Sequence, residues 1–196
     1  MSGTFNDIKV PPTLIAFGIT TVDAKGVISP DFKGTGHKLY LVKHTPKANF
    51  TPDCEVLRAN FSLVSEQIEK GNILSAYAIG FGGVAEALSK MSFGNEVGVN
   101  VNLSESELFD YNYGSILVEA VAPIEGALLV GETVAEKSLT INGEVLDMTE
   151  LYRANTERFE KVYPARGLNG EPCRISNSTL TAPTYKGEKV EQVKVC

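Results

Sequence analysis

The stretch Asn72-Ile-Leu-Ser-Ala-Tyr-Ala-Ile-Gly-Phe-Gly-Gly-Val-Ala-Glu-Ala-Leu-Ser-Lys-Met91 leaves the chain around it little freedom. Ile73 to Ile79 is apolar on both faces, the pattern of a strand covered on two sides, and Val84, Leu88 and Met91 then recur at helical spacing. The period changes inside Gly80-Phe81-Gly82-Gly83, so a tight turn has to carry a buried strand straight into a helix. Such a turn aims the first N–H groups of the helix at the space beyond the strand's carboxyl end, which suits a phosphate or carboxylate. Gly80, Gly82 and Gly83 are therefore the phosphate-binding candidates, with Gly82 and Gly83 expected to matter for packing and backbone geometry. No Lys, Ser, Thr, Asp or His lies between Ala76 and Ala85, so the turn offers backbone donors but neither a proton-transfer group nor a metal ligand.

Composition excludes several classes of function. Eighteen basic against 24 acidic residues give a net charge of −6, and no Lys/Arg cluster exceeds two neighbours, so the footprint of a nucleic-acid binder is missing. No apolar run is long enough to span a bilayer, and Met1-Ser-Gly-Thr-Phe-Asn-Asp has no basic region followed by an apolar one, so a cytoplasmic protein without a membrane partner is expected. Cys54, Cys173 and Cys196 are odd in number and widely spaced, which fits reduced thiols better than a disulfide framework or a zinc site.

Around the central stretch the chain alternates strand and helix signals. Thr13 to Val22, rich in Ile, Phe, Thr and Val after Pro11-Pro12, reads as a strand, and Lys38-Leu-Tyr-Leu-Val-Lys43 as another. The connection Asp31-Phe-Lys-Gly-Thr-Gly36 has two glycines, but no helix follows, so it reads as a plain turn. Thr51-Pro52-Asp53 opens a helix with Leu57, Phe61, Val64 and Ile68 on one stripe, and Gly71 closes it. Val97 to Leu103 is a strand, Ser104-Glu-Ser-Glu107 a capping box for a short helix, and Ser115 to Ala122 the next strand. Leu128 to Val134 and Ser138 to Ile141 follow, the latter turning back at Asn142-Gly143, and Asp147-Met-Thr-Glu150 caps a last helix that stops at Pro164. From Ala165 the composition shifts to Gly, Pro, Ser, Thr and charge, as in a linker.

Most candidate chemistry falls away on inspection. Gly80-Phe-Gly-Gly-Val-Ala85 formally matches G-x-G-x-x-A with Glu105 and Glu107 downstream, the dinucleotide fingerprint, but the strand comes late in the chain and no further strand–helix units follow. His37 and His44 flank a strand with no third ligand at metal spacing and read as surface or turn histidines. Ser75 and Cys54 have no partner arrangement for nucleophilic catalysis, and Glu119 and Glu125 read as unpaired acids. No catalytic residue and no metal ligand is assigned.

Several segments taken in order resemble the C-terminal half-domain shared by aminoimidazole ribonucleotide synthetase and phosphoribosylformylglycinamidine synthase. They are Leu14-Ile-Ala-Phe-Gly-Ile, Asp31-Phe-Lys-Gly-Thr-Gly-His-Lys-Leu-Tyr-Leu-Val42, Ala76-Tyr-Ala-Ile-Gly-Phe-Gly-Gly-Val-Ala-Glu-Ala-Leu88, Gly114-Ser-Ile-Leu-Val-Glu119, Val130-Gly-Glu-Thr-Val134 and Leu139-Thr-Ile-Asn-Gly143. The series spans roughly Pro12 to Pro164, and Gly187 to Cys196 resembles the junction to the glutaminase domain of the large single-chain synthase, which is therefore the favoured family. Tyr77 and Ala78 stand where the family's turn usually carries His and Asp.

The resemblance implies an α/β (α+β) fold, a mixed sheet with packed helices and a largely antiparallel second half. It implies a half-domain over 1–164, and a linker with the start of a following domain over 165–196, where Lys189 to Cys196 should not sit centrally in this domain's sheet. The whole enzyme would amidate formylglycinamide ribonucleotide with glutamine and ATP. This chain would be its structural, chemically silent half, holding no cofactor itself, while ATP and magnesium would serve the intact enzyme. Its partners would be the nucleotide-binding half-domains and the glutaminase domain. The alternative is an independent small-ligand or dinucleotide-binding module using Gly80 to Gly83.

Overall fold

The structure, a computed structural model, describes residues 3–5 and 8–159. The chain divides into two units, Met1–Asn155 and Thr156–Cys196, and the architecture that follows is that of the first. Strands β1 (Gly3–Phe5) and β2 (Ile8–Val10) form a small antiparallel ribbon. The remaining strands are β3 (Lys38–Val42), β4 (Ile73–Ala78), β5 (Gly98–Val101), β6 (Ile116–Ala120), β7 (Leu128–Val134), β8 (Ser138–Ile141) and β9 (Glu144–Asp147). They make a seven-stranded sheet in the order β4-β6-β3-β7-β5-β8-β9, antiparallel throughout except for the parallel pair β5 and β8. Helices α1 (Cys54–Glu69), α2 (Gly83–Phe93), α3 (Glu105–Phe109) and α4 (Met148–Thr156) complete the fold. The mixed α/β architecture is the one expected from the sequence.

Alternation along the strands divides the core into two clusters, one per face of the sheet. Leu39 and Leu41 of β3, Leu117 of β6, Val99 and Val101 of β5 and Leu139 of β8 pack with Val84, Leu88 and Met91 of α2. Tyr40 and Val42 of β3, and Ile116, Val118 and Ala120 of β6, point the other way and meet Val64 of α1. The central strands β3 and β6 are apolar apart from Lys38 and Glu119 because both faces are covered.

The capping signals in the sequence are realised. Ser104 and Glu107 form the expected capping box of α3, and Asn142 and Gly143 adopt φ of 53° and 84°, the left-handed pair of a tight hairpin turn between β8 and β9. The cap of α1 is Asp53, whose carboxylate accepts from the N–H groups of Glu55 and Val56, while Thr51 and Pro52 lie outside the helix.

Three expectations differ from the structure. Residues 13–22 form no strand: Leu14, Ile15, Phe17 and Ile19 lie outside regular secondary structure and are 94%, 67%, 85% and 89% exposed. Strand propensity needs an open edge to act on, and both sides of β3, to which this segment leads, are already taken by β6 and β7. The strand before the glycine turn is covered on its faces but stands at the sheet's edge, pairing with β6 alone. In α1, Phe61 is 53% exposed and only Val64 of the expected stripe is fully buried. The last helix passes into a 3-10 turn at Glu157–Phe159, and its expected end at Pro164, the 165–196 segment and the Lys189 to Cys196 strand lie outside the described residues.

The burial difference between the two helices is measurable. Leu88 is fully buried, so Leu88→Ala should cost roughly 3 kcal/mol, whereas Phe61→Ala should cost less than about 1 kcal/mol. Denaturant unfolding of both variants checks this, and equal losses would place Phe61 in a packed core.

Candidate functional site

The glycine turn joins the carboxyl end of β4 to α2 as expected, but its geometry is its own. Ile79 donates its N–H to the Ser115 carbonyl at 2.9 Å, and the Gly83 N–H closes the turn on the Gly80 carbonyl at 3.1 Å. The left-handed residue is Gly83, at φ +66°, not Gly82, which sits at φ −85°. A side chain at Gly83 would be strained by the backbone and would also run into the Leu108 carbonyl and lie 3.0 Å from the Phe109 Cα. Absence of a side chain there lets α3 pack directly on the start of α2.

The anion that the turn attracts is supplied from within the helix. Glu86, one turn into α2, folds back so that Oε2 accepts the Gly82 N–H at 2.8 Å, while Oε1 accepts from Lys90 Nζ at 2.6 Å. A negative charge near a helix N-terminus is favourable, and Glu86 takes that position. The Lys90 ammonium first, and the Gly82 N–H after it, hold the Glu86 carboxyl below its usual range. The same pairing raises Lys90. A Cβ at Gly80 would lie 3.3 Å from the Glu86 carboxylate and one at Gly82 2.9 Å from it, so the two glycines make room for this side chain. Tyr77 is half-buried and Ala78 exposed at the strand's end.

A second loop shows the same device. Glu119 on β6 is fully buried on the face covered by α2, and four groups donate to it. The Lys33 N–H reaches Oε1 and Oε2 at 3.0 and 2.8 Å, the Gly34 N–H reaches Oε1 at 3.2 Å, His37 Nδ1 reaches Oε1 at 2.6 Å, and Ser75 Oγ reaches Oε2 at 2.7 Å. The connection 31–36, read from sequence as a plain turn, therefore cradles a carboxylate with backbone N–H groups and needs no helix to do so. It is pinned on both sides: the Phe32 N–H donates to the Met91 carbonyl at the end of α2, the Thr133 N–H of β7 donates to the His37 carbonyl, and the His37 N–H donates to the Thr133 Oγ1.

Neither histidine is a loose surface group. His37 is the partner of Glu119, and His44 is buried, its Nδ1 donating to the Tyr113 carbonyl at 2.7 Å and its Nε2 accepting the Asp53 N–H at 3.1 Å. Ser75, for which no nucleophilic arrangement is expected, donates to Glu119. The His37 and Ser75 pairings share one cause. A carboxylate inside an otherwise apolar strand, Ile116-Leu-Val-Glu-Ala120, has to find donors or stay unfolded, so Glu119 itself was the signal for a cluster around it. Its partners come from positions 33–37 and 75, too far along the chain for spacing rules to connect them.

Among the described residues, no group of three or more His, Cys, Asp or Glu side chains is placed to hold a metal ion, and no helix is long and apolar enough to cross a membrane. Cys54 is an exposed free thiol. A cavity of about 600 Å³ lies at the far end of α2, lined by Lys90, Phe93, Glu96, Lys137 and Tyr152 among others, but Lys90 is paired with Glu86 and Lys137 with Glu96.

No family model matches the chain. Among curated proteins, phosphoribosylformylglycinamidine synthase subunit PurL of Picrophilus torridus is 27% identical over 150 residues, covering 63% of this chain and 19% of that protein. Thermotoga maritima PurL complexed with FGAR has the same fold, with a TM-score of 0.54 at 13% identity over 65% of this chain and 30% of that one. T. maritima PurL complexed with AMPPCP gives 0.55 at 14% identity, over 66% and 28%. PurLQS from T. maritima gives 0.53 at 14% identity, over 64% and 27%. The chain shares its fold with PurL and is similar to it in sequence. It spans about a fifth of the length of the curated relative that it matches, 19%.

In this PurL-like domain the Glu86 pairing predicts a defined pH response. A carboxyl whose folded pKa is depressed contributes stability above its unfolded value, 4.5, and loses it as pH falls through the folded value. Glu86→Gln should therefore lower stability by about 1 kcal/mol at neutral pH. The gap should start to close below pH 4.5 and vanish once Glu86 is protonated in the folded state. Thermal unfolding of both proteins across that range is the check, and a gap independent of pH would remove the charge from the account.

Proposed function

We propose that this chain is a domain fragment of a PurL-type enzyme of purine biosynthesis, a carbon–nitrogen ligase that amidates formylglycinamide ribonucleotide with ATP and with glutamine as amide donor. Within that enzyme the domain serves as a structural, chemically silent half. The observation that carries the silent role is the Glu86 carboxylate on the Gly82 N–H: the donor that would meet a phosphate is already bonded to an internal anion. Tyr77 and Ala78, at the strand's end, supply neither a carboxylate nor an imidazole. Phosphate oxygens brought to Gly80, Gly82 and Gly83 would have to displace Glu86 and then face its charge, so the residues present do not fit ATP and magnesium at this turn. No catalytic residue is assigned to the fragment.

The same reading gives the exposed apolar chain a purpose. Leu14, Ile15, Phe17, Ile19 and Val22, each at least 67% exposed, form an apolar segment of the kind that further domains of one enzyme cover. The partners are then the nucleotide-binding half-domains and the glutaminase domain, in the cytoplasm, with the half-domain over 1–164 and a linker leading into the next domain over 165–196.

Titration calorimetry of the isolated chain with Mg-ADP tests the silent role. No saturable heat is expected at micromolar concentrations of nucleotide. A micromolar Kd, worth about −8 kcal/mol, would overturn it and favour an independent nucleotide-binding module using the Gly80 to Gly83 turn.

A further inference from the structure

Beside the glycine turn lies a feature that the silent half-domain does not use. Phe81 is stacked on Tyr111 with ring centroids 5.2 Å apart and planes 26° apart, and Tyr111 on Tyr113 at 6.1 Å and 15°. The rings are not core residues. Phe81 is 75%, Tyr111 59% and Tyr113 54% exposed. Phe109, which precedes them on the same segment, is 57% exposed.

The ladder is held in place from beneath. Tyr113 offers its carbonyl to the buried His44 Nδ1 at 2.7 Å, and the Ser115 N–H donates to the Asn112 carbonyl at 2.9 Å. The Tyr113 N–H donates to the Tyr111 carbonyl at 2.8 Å, and Gly114 takes φ +86° with His44 and Leu57 packed where its side chain would be. Phe81 is fixed by the glycine turn. Exposed rings on a fixed backbone present a surface whose ordering cost has been met in the free protein.

Charge decides what such a surface fits. From Glu105 to Tyr113 the chain carries Glu105, Glu107 and Asp110 and no Lys or Arg. Glu107 is engaged with Ser104 in the capping box, while Glu105 and Asp110 are exposed and form no ion pair among the described residues. A phosphate-bearing nucleotide stacked on these rings would meet carboxylates on a chain of net charge −6. A guanidinium meets the opposite situation, because its flat face stacks on an aromatic ring while its edge donates to carboxylates in pairs.

We infer that the Phe81–Tyr111–Tyr113 ladder and its flanking carboxylates are a docking surface for an arginine-bearing segment of a partner protein. The inference does not depend on the silent role proposed for the glycine turn.

The ring resonances of Tyr111 and Tyr113 report the ladder directly, while fluorescence in this Trp-free chain sums its seven tyrosines. The probe is the peptide Ac-Gly-Arg-Gly-Arg-Gly-amide, titrated into the full chain beside its Lys and Gly counterparts and adenosine monophosphate. Saturable shifts are expected with the Arg peptide, weaker ones with Lys and none with Gly or the nucleotide. Tyr111→Leu keeps apolar area but removes a π face, and should weaken Arg-peptide binding about threefold with unchanged circular dichroism. Asp110→Asn should weaken it and flatten its salt dependence. Three outcomes overturn the inference: equal affinity for Arg and Gly peptides, equal affinity of wild type and Tyr111→Leu, or tighter binding of adenosine monophosphate than of the Arg peptide.

Discussion

A single desolvated carboxylate organises the half of the sheet on which everything else rests. Glu119 lies on β6 between β4 and β3, fully buried, and its oxygens are bonded to Ser75 of β4, to the Lys33 and Gly34 N–H groups and to His37 just before β3. A carboxylate in such a place is costly unless every oxygen is met by donors. The chain brings those donors from two separate regions, so the Glu119 bonds cannot form until β4, β6 and the 33–37 loop are all in place. Thr133 of β7 carries the linkage one strand further through its bonds to His37.

The glycine turn repeats the principle on a smaller scale. Gly82, like Gly34, presents an N–H outside regular secondary structure, and an acid of the chain itself accepts it. Once Glu86 holds Gly82 and is itself held by Lys90, the turn is a closed local network and not an open anion cradle.

Local rules were enough for much of the fold. The Ser104 capping box, the Asn142-Gly143 turn, the helix from Gly83 and the alternating strands β7 and β8 depend on neighbours within a few residues, and sequence displays those neighbours. The failures depend on distant partners. Residues 13–22 have strand propensity but no free edge beside β3, Phe61 fits a helical stripe that the sheet only half covers, and Glu119 finds its donors 44 and 82 or more positions away. At the site, the turn's position was legible, since a change of period marks it. Which glycine is left-handed was not, because Gly83 is set by the approach of the Leu108 carbonyl from another helix.

Exposed apolar and aromatic groups gather where the internal networks stop, along residues 14–22 and on the Phe81–Tyr111–Tyr113 ladder. The stability that lets the domain display them traces back to the buried carboxylate. Thermal unfolding of Glu119→Gln tests that most directly, because the amide keeps the shape but sets an NH₂ against donors. A loss of roughly 3 kcal/mol is expected, lowering Tm by roughly 6–12 °C. A Tm within about 2 °C of wild type would contradict the account and make the Glu119 cluster incidental to the fold.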